Sequence, residues 1–377
     1  MGGTVLVKAG LKQSKFGLLK KGNTPKSIDS LEKGKTAVIF VTGISYQKDA
    51  PIVGRYGKDF TYVNEKRILK KQEILEEVKL ANAEAVILTG ADPLTKIDRC
   101  VSFTEMLKKQ FGSQFHVTLS CPLKLITPQR LERLFGSGLD ELQVRPDFKE
   151  KADWSKMRYL AKYAEVVLDL EAFPGKEAEC KKLLDHAQGK IKYVIIKELE
   201  KKDYNTSLLA HLKTKKDSSI VEGSENLARA LLQYANKKNF SACYIPVSLY
   251  QEVHEQRMKV KAKSIAKKYA KVTIKGTIKH GVIYLPDIMP CAEYQLKLGM
   301  INKKNVIKKL FRIKRDLQRE LNIQFDMVDV DEQKLRLTTD ALLVQHHASF
   351  LKNMKLQPAL VEEYPTHNAA ELKVQLL

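Results

Sequence analysis

The chain has 377 residues, with 66 Lys and Arg against 44 Asp and Glu, a formal net charge of +22 and 44% hydrophobic residues. That hydrophobic fraction excludes a mainly disordered chain, and the length suggests two domains or one large domain with an appendage. The apolar runs are far shorter than the ~20 residues of a membrane-spanning helix, and the lysine-rich N-terminus lacks the apolar core of a signal peptide.

The cysteines are scattered along the chain and show neither a disulfide framework nor the pair spacing of a metal site. They are Cys100, Cys121, Cys180, Cys243 and Cys291. This distribution favours a reducing compartment, so we expect a cytoplasmic protein without a locally encoded metal site and without a membrane partner.

Residues 1–35 are polar and rich in Gly and Lys, which predicts a basic N-terminal arm or irregular lead-in. Six apolar strands and intervening helices follow. The predicted strands are 37–41, 85–88, 116–119, 141–144, 166–170 and 193–197, and the predicted helices are 67–82, 98–111, 129–135, 154–163 and 177–188. This alternation predicts βα units and a parallel sheet. Spacing alone leaves an open barrel and a doubly wound sheet as alternatives.

Beyond residue 200 the alternation changes. The patterns predict helices over 224–238, 249–270, 303–321 and 340–353, strands over 242–247, 324–330, 334–337 and 359–362, and a hairpin of 271–277 and 281–285 with its turn at 279–281. We therefore expect three regions: the arm 1–35, an α/β domain over 36–248 and a basic α+β region over 249–377.

Positive charge is concentrated in that last region, which favours a polyanionic partner such as RNA or a ribosome. The candidate nucleic-acid-binding residues are Arg257, Lys259, Lys261, Lys263, Lys267, Lys268, Lys271, Lys308, Lys309, Arg312 and Arg315. Tyr250, Tyr269, Tyr284 and Tyr294 interleave with them and could stack on bases. The alternatives are a solvated lysine coat and tyrosines that seat the helices on their own domain.

Two loops follow the first two predicted strands, where a βα fold carries its chemistry. The segment from Thr42 to Pro51 contains no good set of metal ligands. The second loop is Thr89-Gly90-Ala91-Asp92-Pro93. Its glycine lets backbone approach a ligand closely and its Asp92 supplies a hydrogen-bond acceptor, although such a turn is also common at the start of a helix. Cys121 is expected to be a buried strand-end cysteine rather than a nucleophile.

Several short motifs in a fixed order resemble archaeal radical S-adenosylmethionine proteins related to pyruvate formate-lyase activating enzyme. These are Val41-Thr42-Gly43, Gly57-Lys58-Asp59, Asn64-Glu65, Thr89-Gly90-Ala91-Asp92-Pro93-Leu94, Gly138-Leu139-Asp140-Glu141-Leu142, Pro174-Gly175, Glu198-Leu199-Glu200, Val221-Glu222-Gly223-Ser224-Glu225 and Glu362-Glu363-Tyr364-Pro365-Thr366. The resemblance implies a partial (β/α)6 TIM-like barrel, here with a basic α+β C-terminal extension. It also implies a 4Fe–4S cluster on a CxxxCxxC loop after the first strand, and S-adenosylmethionine on the loop after the second.

The chain departs from that pattern at the cluster. Alignment on Val41-Thr42-Gly43 puts Ser45, Asp49 and Ile52 where the resemblance implies three cysteines, and these side chains cannot supply three thiolates. We therefore expect no 4Fe–4S cluster. The residues implied for S-adenosylmethionine are Thr89, Gly90, Ala91, Asp92 and Glu198.

The sequence thus predicts a cluster-less protein that binds RNA or a ribonucleoprotein through its basic C-terminal half, without radical chemistry. The alternative is an enzyme or sensor that binds S-adenosylmethionine or a nucleotide in the remaining pocket. A third possibility is one subunit of a complex whose partner is catalytic. The sequence assigns no catalytic residue.

Overall fold

The computed structural model describes residues 5–7, 11–14, 17–47, 50–148, 150–163, 165–290 and 294–377; of 5–7, 11 and 295–297 it describes only the backbone. The chain forms two compact units, Met1–His254 and Glu255–Leu377.

The first unit alternates strands and helices along its length. Its strands are β1 (Val5–Val7), β2 (Leu11–Gln13), β3 (Leu19–Lys21), β4 (Thr36–Phe40), β5 (Thr61–Val63), β6 (Lys66–Ile68), β7 (Ala85–Thr89), β8 (His116–Pro122), β9 (Glu141–Arg145), β10 (Val166–Glu171), β11 (Tyr193–Lys197) and β12 (Ser241–Ile245). Its helices are α1 (Lys26–Glu32), α2 (Gln72–Leu80), α3 (Ile97–Phe111), α4 (Pro128–Gly136), α5 (Met157–Leu160), α6 (Glu177–Ala187) and α7 (Ser224–Lys237). Helix α8 (Val247–Ile265) begins in this unit and continues into the second.

These strands form one sheet in the order β1-β2-β3-β12-β11-β10-β9-β8-β7-β4-β5-β6. Neighbouring strands from β4 through β7 to β12 run parallel, whereas β3 and β5 pair antiparallel with β12 and β4 at the two ends of that parallel array. The predicted α/β fold with a large parallel sheet is therefore confirmed. Among the described residues β4 and β12 do not pair with each other, so the sheet is not closed.

Side-chain alternation gives the sheet two different faces. On β10, Val166, Leu168 and Leu170 join the large apolar core that includes residues of helices α2 to α7, whereas Val167 and Asp169 point the other way. We call the face of Val167 and Asp169 the inner face. Every second residue of a strand lies on the same face of the sheet. Asp169, a charged residue inside the apolar strand β10, therefore shares the inner face with Val167.

The N-terminal segment is part of this unit. Strand β3 pairs with β12, and α1 lies on the inner face, where Ile28 and Leu31 are buried beside Val167. Ser27 donates hydrogen bonds from its amide and hydroxyl to the buried Glu141 carboxylate, at 3.1 and 2.5 Å. The expectation of an irregular lead-in is wrong for residues 17–35, because a few apolar side chains are buried by distant strands and produce no local periodicity.

The second unit packs helices against a smaller antiparallel sheet. Its strands are β13 (Lys271–Val272), β14 (Ile278–Tyr284), β15 (Val328–Asp331), β16 (Arg336–Thr339), β17 (Gln357–Glu363) and β18 (Glu371–Leu376), and its helices are α9 (Tyr294–Met300), α10 (Lys303–Glu320), α11 (Ala341–His346) and α12 (Ala348–Asn353). The order is β15-β16-β14-β17-β18, with β13 on β14. Leu310 and Leu317 of α10 are buried with Leu337 in its core.

Three predicted elements of this region differ from the structure. The hairpin turn lies at 273–277, where the Thr273 amide donates to the Thr277 carbonyl at 2.8 Å, and β14 runs through the predicted turn at 279–281. The long basic helix ends at Ile265, and the predicted helix over 340–353 is divided at His347. Turn chemistry at Thr273, Gly276 and Thr277 sets the hairpin, and Gly276 has a φ of +78° that suits glycine.

A buried guanidinium organises one face of the second sheet. Arg336 is 0% exposed and pairs with Asp331, Glu363 and Glu371 at 2.8, 2.7 and 2.6 Å. Lys334 lies 3.1 Å from Glu371. Because each charge has an opposite partner, the network is compatible with burial, and removal of one member would leave uncompensated charge.

Candidate functional site

The loops after β4 and β7 are joined at the carboxyl end of the parallel sheet. The amide of Ala91 donates to the Thr42 carbonyl at 3.1 Å, and the amide of Asp92 donates to the Ile44 carbonyl at 3.2 Å. A Cβ atom on Gly90 would lie 2.5 Å from the Thr42 oxygen, so the close approach of the two loops requires glycine at position 90.

Asp92 is the polar centre of this junction. Its carboxylate is 4% exposed and accepts from the Ser45 hydroxyl at 2.5 Å and from the Tyr46 amide at 2.9 Å. The structure thus brings the predicted cofactor residue Asp92 together with Ser45, the first of the three positions where the family resemblance implies cysteine. Ile52 is 77% exposed, and Asp49 lies outside the described residues.

A second carboxylate fixes the far side of the first loop. Asp59 accepts from both terminal nitrogens of Arg99, at 2.7 and 3.1 Å, from the Thr42 hydroxyl at 2.9 Å and from Lys96 at 2.9 Å. Burial opposes its ionisation, but these hydrogen bonds outweigh burial and lower the pKa of Asp59 to about 2. The loop is thereby anchored to α3 by a carboxylate that stays ionised well below neutral pH.

Charged side chains also gather at the ends of β9, β10 and β11. Asp169 on the inner face accepts from Lys197 at 2.6 Å, and its other carboxylate oxygen is buried without a hydrogen-bond partner among the described residues. Arg145 donates to the Ala91 carbonyl at 3.4 Å, which connects this cluster with the loop after β7. Burial, followed by the Asp169 charge, raises the pKa of Glu171.

Two tyrosines bring the loop after β4 into contact with the loop after β11. The rings of Tyr56, in the loop after β4, and Tyr204, in the loop after β11, lie 4.6 Å apart between centroids. Tyr56 also meets Phe40 edge to face at 5.3 Å. Burial and then Tyr204 raise the pKa of Tyr56 to about 12, and burial followed by the Glu171 charge raises that of Tyr204. We call Tyr56 and Tyr204 the tyrosine pair.

Sequence reasoning missed the charged cluster and the tyrosine pair. A usable signal was present, because Asp169 interrupts an otherwise apolar strand and therefore marks a polar inner face. The meeting of Tyr56 with Tyr204 has no local signal, because the two residues lie in different loops far apart in the chain.

Glu198 lies in a separate setting from the loop at 89–92. Its carboxylate accepts from the Val247 amide at 2.9 Å, at the start of α8, and from Lys215 at 3.3 Å. It lines a cavity of about 250 Å³ together with Glu225 and Arg229. Lys215 and Arg229 both bind Glu225, so the charges around this cavity largely neutralise one another.

The predicted nucleic-acid-binding residues lie on α8, on the segment that follows it, on β13 and on α10. Lys268 pairs with Asp326 at 2.8 Å and Lys267 with Asp329 at 3.3 Å, and Lys261 is only 4% exposed. Tyr269, Tyr284 and Tyr294 are buried, so stacking on bases by these three rings is wrong. They seat their own unit, as in the hydrogen bond from Tyr294 to the Lys334 carbonyl at 2.7 Å.

Comparison with known proteins found a relative that is named as an enzyme. No protein-family profile matches the chain. The chain is similar to a protein of Methanocaldococcus jannaschii named "putative glycyl-radical enzyme activating enzyme", with 29% identity over 359 residues, covering 88% of this chain and 95% of the relative. The similarity to activating enzymes that the motifs indicate therefore extends over most of the chain.

This relative overturns two expectations from the sequence. The expectation of a non-catalytic protein that binds RNA or a ribonucleoprotein is wrong, because the relative bears the name of an enzyme and not of an RNA-binding protein. The expectation that no 4Fe–4S cluster belongs to this chain is contradicted as well, because a glycyl-radical enzyme activating enzyme implies a cluster and S-adenosylmethionine.

The described residues do not themselves fit such a cluster. Among them no three His, Cys, Asp or Glu side chains are grouped to hold a metal ion. Cys100, Cys121, Cys180 and Cys243 are all buried, and burial raises the pKa of each thiol to about 12, which disfavours the thiolate that iron requires. Cys291 lies outside the described residues.

No helix in the described part of the chain combines the length and apolar character needed to cross a membrane.

Proposed function

We propose that this chain is an enzyme that binds S-adenosylmethionine at the carboxyl end of its parallel sheet and acts on a protein partner. The observation that carries the proposal is the junction of the loops after β4 and β7. There Gly90 allows the two loops to meet, and Asp92 in the loop after β7 accepts hydrogen bonds from Ser45 and Tyr46 in the loop after β4. In parallel α/β folds, ligands bind at this end of the strands.

The chain's own residues have three tasks in this proposal. Asp59 and Asp92 hold the two loops in one arrangement before a ligand arrives, which reduces the ordering cost of binding. Arg145 and its neighbours supply charge beside the loop after β7. The tyrosine pair holds the loop after β4 against the loop after β11, within electrostatic range of the charged cluster.

The kind of protein on which this chain acts is inferred from the name of the relative. That protein is named for the activation of a glycyl-radical enzyme, so we propose a glycyl-radical enzyme as the protein on which this chain acts. The overlap of 88% of this chain with 95% of the relative supports the transfer of the role as a proposal for the whole chain.

Isothermal titration calorimetry with S-adenosylmethionine tests the binding step. We expect saturable binding by the full chain, weakened at least about tenfold in Asp92→Ala because the junction loses its central acceptor. Asp98→Ala, which removes an exposed carboxylate paired with Arg133, is the matched control and should bind as the parent does. Absence of binding by a folded parent chain would refute the proposal.

Product analysis tests the catalytic step. The chain is purified anaerobically, supplied with iron, sulfide and a reductant, and incubated with S-adenosylmethionine. Mass spectrometry then separates 5′-deoxyadenosine, the product of reductive cleavage, from S-adenosylhomocysteine, the product of methyl transfer. We expect one of the two in excess of a no-protein control, and recovery of unchanged cofactor alone would contradict an enzymatic role.

A further inference from the structure

Helix α10 of the second unit presents positive charge to solvent. Its side chains Leu310 and Leu317 are buried in the core of that unit, which fixes the direction in which the rest of the helix points. At about 100° per residue, five exposed side chains fall on one side of the helix, away from those two leucines. We call them the basic face: Lys304, Lys308, Phe311, Arg312 and Arg315.

The four cations of the basic face are not neutralised within the described part of the chain. The ion pairs of α10 there belong to other residues, Lys314 with Asp329 at 3.8 Å and Arg319 with two acids of its own helix. Lys304, Lys308 and Arg312 follow one another at spacings of four residues, where like charges repel. Lys304 also lies in the first turn, where the helix dipole disfavours a cation. These charges weaken the helix, so the stability of the unit does not account for them.

Phe311 gives the basic face an apolar element. Its ring is 46% exposed although the residues on either side of it on this face are charged. Aromatic residues and arginine are enriched in the buried centres of protein interfaces, and charged residues form the rim. The pattern therefore suits a protein surface that offers an apolar recess surrounded by carboxylates.

A protein partner fits the basic face better than a membrane or a nucleic acid does. An amphipathic helix binds a membrane through its apolar side, but the apolar side of α10 is already buried with Leu310 and Leu317. Binding of single-stranded RNA uses several exposed aromatic rings beside the cations, and Tyr269, Tyr284 and Tyr294 of the same unit are buried.

We propose that the basic face of α10 docks on an acidic surface of the protein on which this chain acts. Phe311 enters an apolar recess of that surface, and Arg312 and Arg315 bind carboxylates, which match the planar guanidinium group. The inference rests on the proposed function, which makes that protein a glycyl-radical enzyme. Because the cations are exposed, they act mainly by speeding association, and salt screens this effect.

The inference is tested by biolayer interferometry between the full chain and an immobilised glycyl-radical enzyme purified from the same organism. We expect the parent chain to bind, with slower association at about 200 mM than at about 50 mM salt. The double variant Lys304→Glu/Lys308→Glu should weaken the affinity at least about tenfold at the lower salt. Phe311→Ala should weaken it at least about fivefold without changing the salt dependence.

Matched controls make the same chemical changes elsewhere. Lys79→Glu/Lys109→Glu reverses two exposed lysines in the last turns of α2 and α3, and Leu342→Ala truncates a side chain of α11 that is 54% exposed. Both should bind within about twofold of the parent, because they alter the net charge or the exposed apolar surface but not the basic face.

Thermal unfolding distinguishes lost docking from lost structure. Lys304→Glu/Lys308→Glu removes like-charge repulsion along α10 and places an acid in its first turn. The unfolding midpoint of the second unit should therefore equal or exceed that of the parent, although the same variant binds the enzyme less tightly. Weaker binding together with a lower midpoint would contradict the inference, since the lysines would then act through the fold.

The outcomes separate this inference from the proposed function. Equal affinity of the parent and the α10 variants refutes docking through the basic face and leaves the proposed function intact. Tighter binding of the parent to polyuridine or to phosphatidylserine vesicles at the same salt, lost in the same variants, also refutes it, because the face would then serve another kind of partner. Absence of binding between the parent and the enzyme overturns the proposed partner itself.

Discussion

Removal of the Asp92 carboxylate should release the two loops that it joins. Asp92→Ala deletes one oxygen that accepts both from the Ser45 hydroxyl at 2.5 Å and from the Tyr46 amide at 2.9 Å. A hydrogen bond to a charged group contributes about 1.5–3 kcal/mol, and water can replace part of this because Ser45 and Tyr46 are half-buried. We expect the free energy of opening the junction to fall by about 2–3 kcal/mol.

Amide hydrogen exchange measures this opening directly. The expected loss corresponds to roughly 30- to 150-fold faster exchange at Tyr46 and Ala91, with strands β8 to β11 unaffected. Ser45→Ala removes only one of the two bonds and should give a smaller acceleration. Unchanged exchange at Tyr46 in Asp92→Ala would refute the reasoning, since the amide would then not depend on that acceptor.

Three further predictions concern stability. Gly90→Ala places a methyl group 2.5 Å from the Thr42 carbonyl oxygen and should destabilise the first unit by about 1–3 kcal/mol in denaturant unfolding, whereas Gly136→Ala, with no atom near its added Cβ, should not. The pKa of Asp59 is about 2, against an ordinary value of 3.8. Its ionised carboxylate therefore stabilises the folded state fully above about pH 4, and this stabilisation is lost as the pH falls towards 2. Asp59→Asn should flatten that part of a plot of unfolding free energy against pH. Arg336→Met removes the buried cation shared by the buried Glu363 and the half-buried Asp331 and Glu371, and should cost about 3–5 kcal/mol, measured on the second unit's unfolding transition.

The sequence predicted the parallel strands well because burial of both faces requires near-continuous apolar residues. The run at 193–197 is one such case, and the structure has β11 there as Tyr193–Lys197. Helix ends were less predictable. The long basic pattern after residue 249 continues past Ile265, where α8 ends, because lysines have good helix propensity whether or not tertiary packing continues the helix.

The candidate site was predictable only in part. Asp92 and Gly90 follow a strand directly, so their position at the carboxyl end of the sheet was readable from the chain. Arg145 and Glu171 end two other strands and have nothing in common locally. The register of β9 on β10, in which Val144 pairs with Leu168, sets both charges at the same end of the sheet, and no short motif encodes it.

By itself, the amino-acid sequence determined the class of fold and the place of the loops after β4 and β7, because apolar periodicity and glycine positions act locally. The tertiary structure decided which charges meet. It paired Asp169 with Lys197 and left Arg145 and Glu171 without ion-pair partners among the described residues. It also buried three tyrosines that the sequence offered for base stacking. The reason is physical: the pairing and dehydration of a charge depend on neighbours supplied by remote segments, which composition and spacing do not contain.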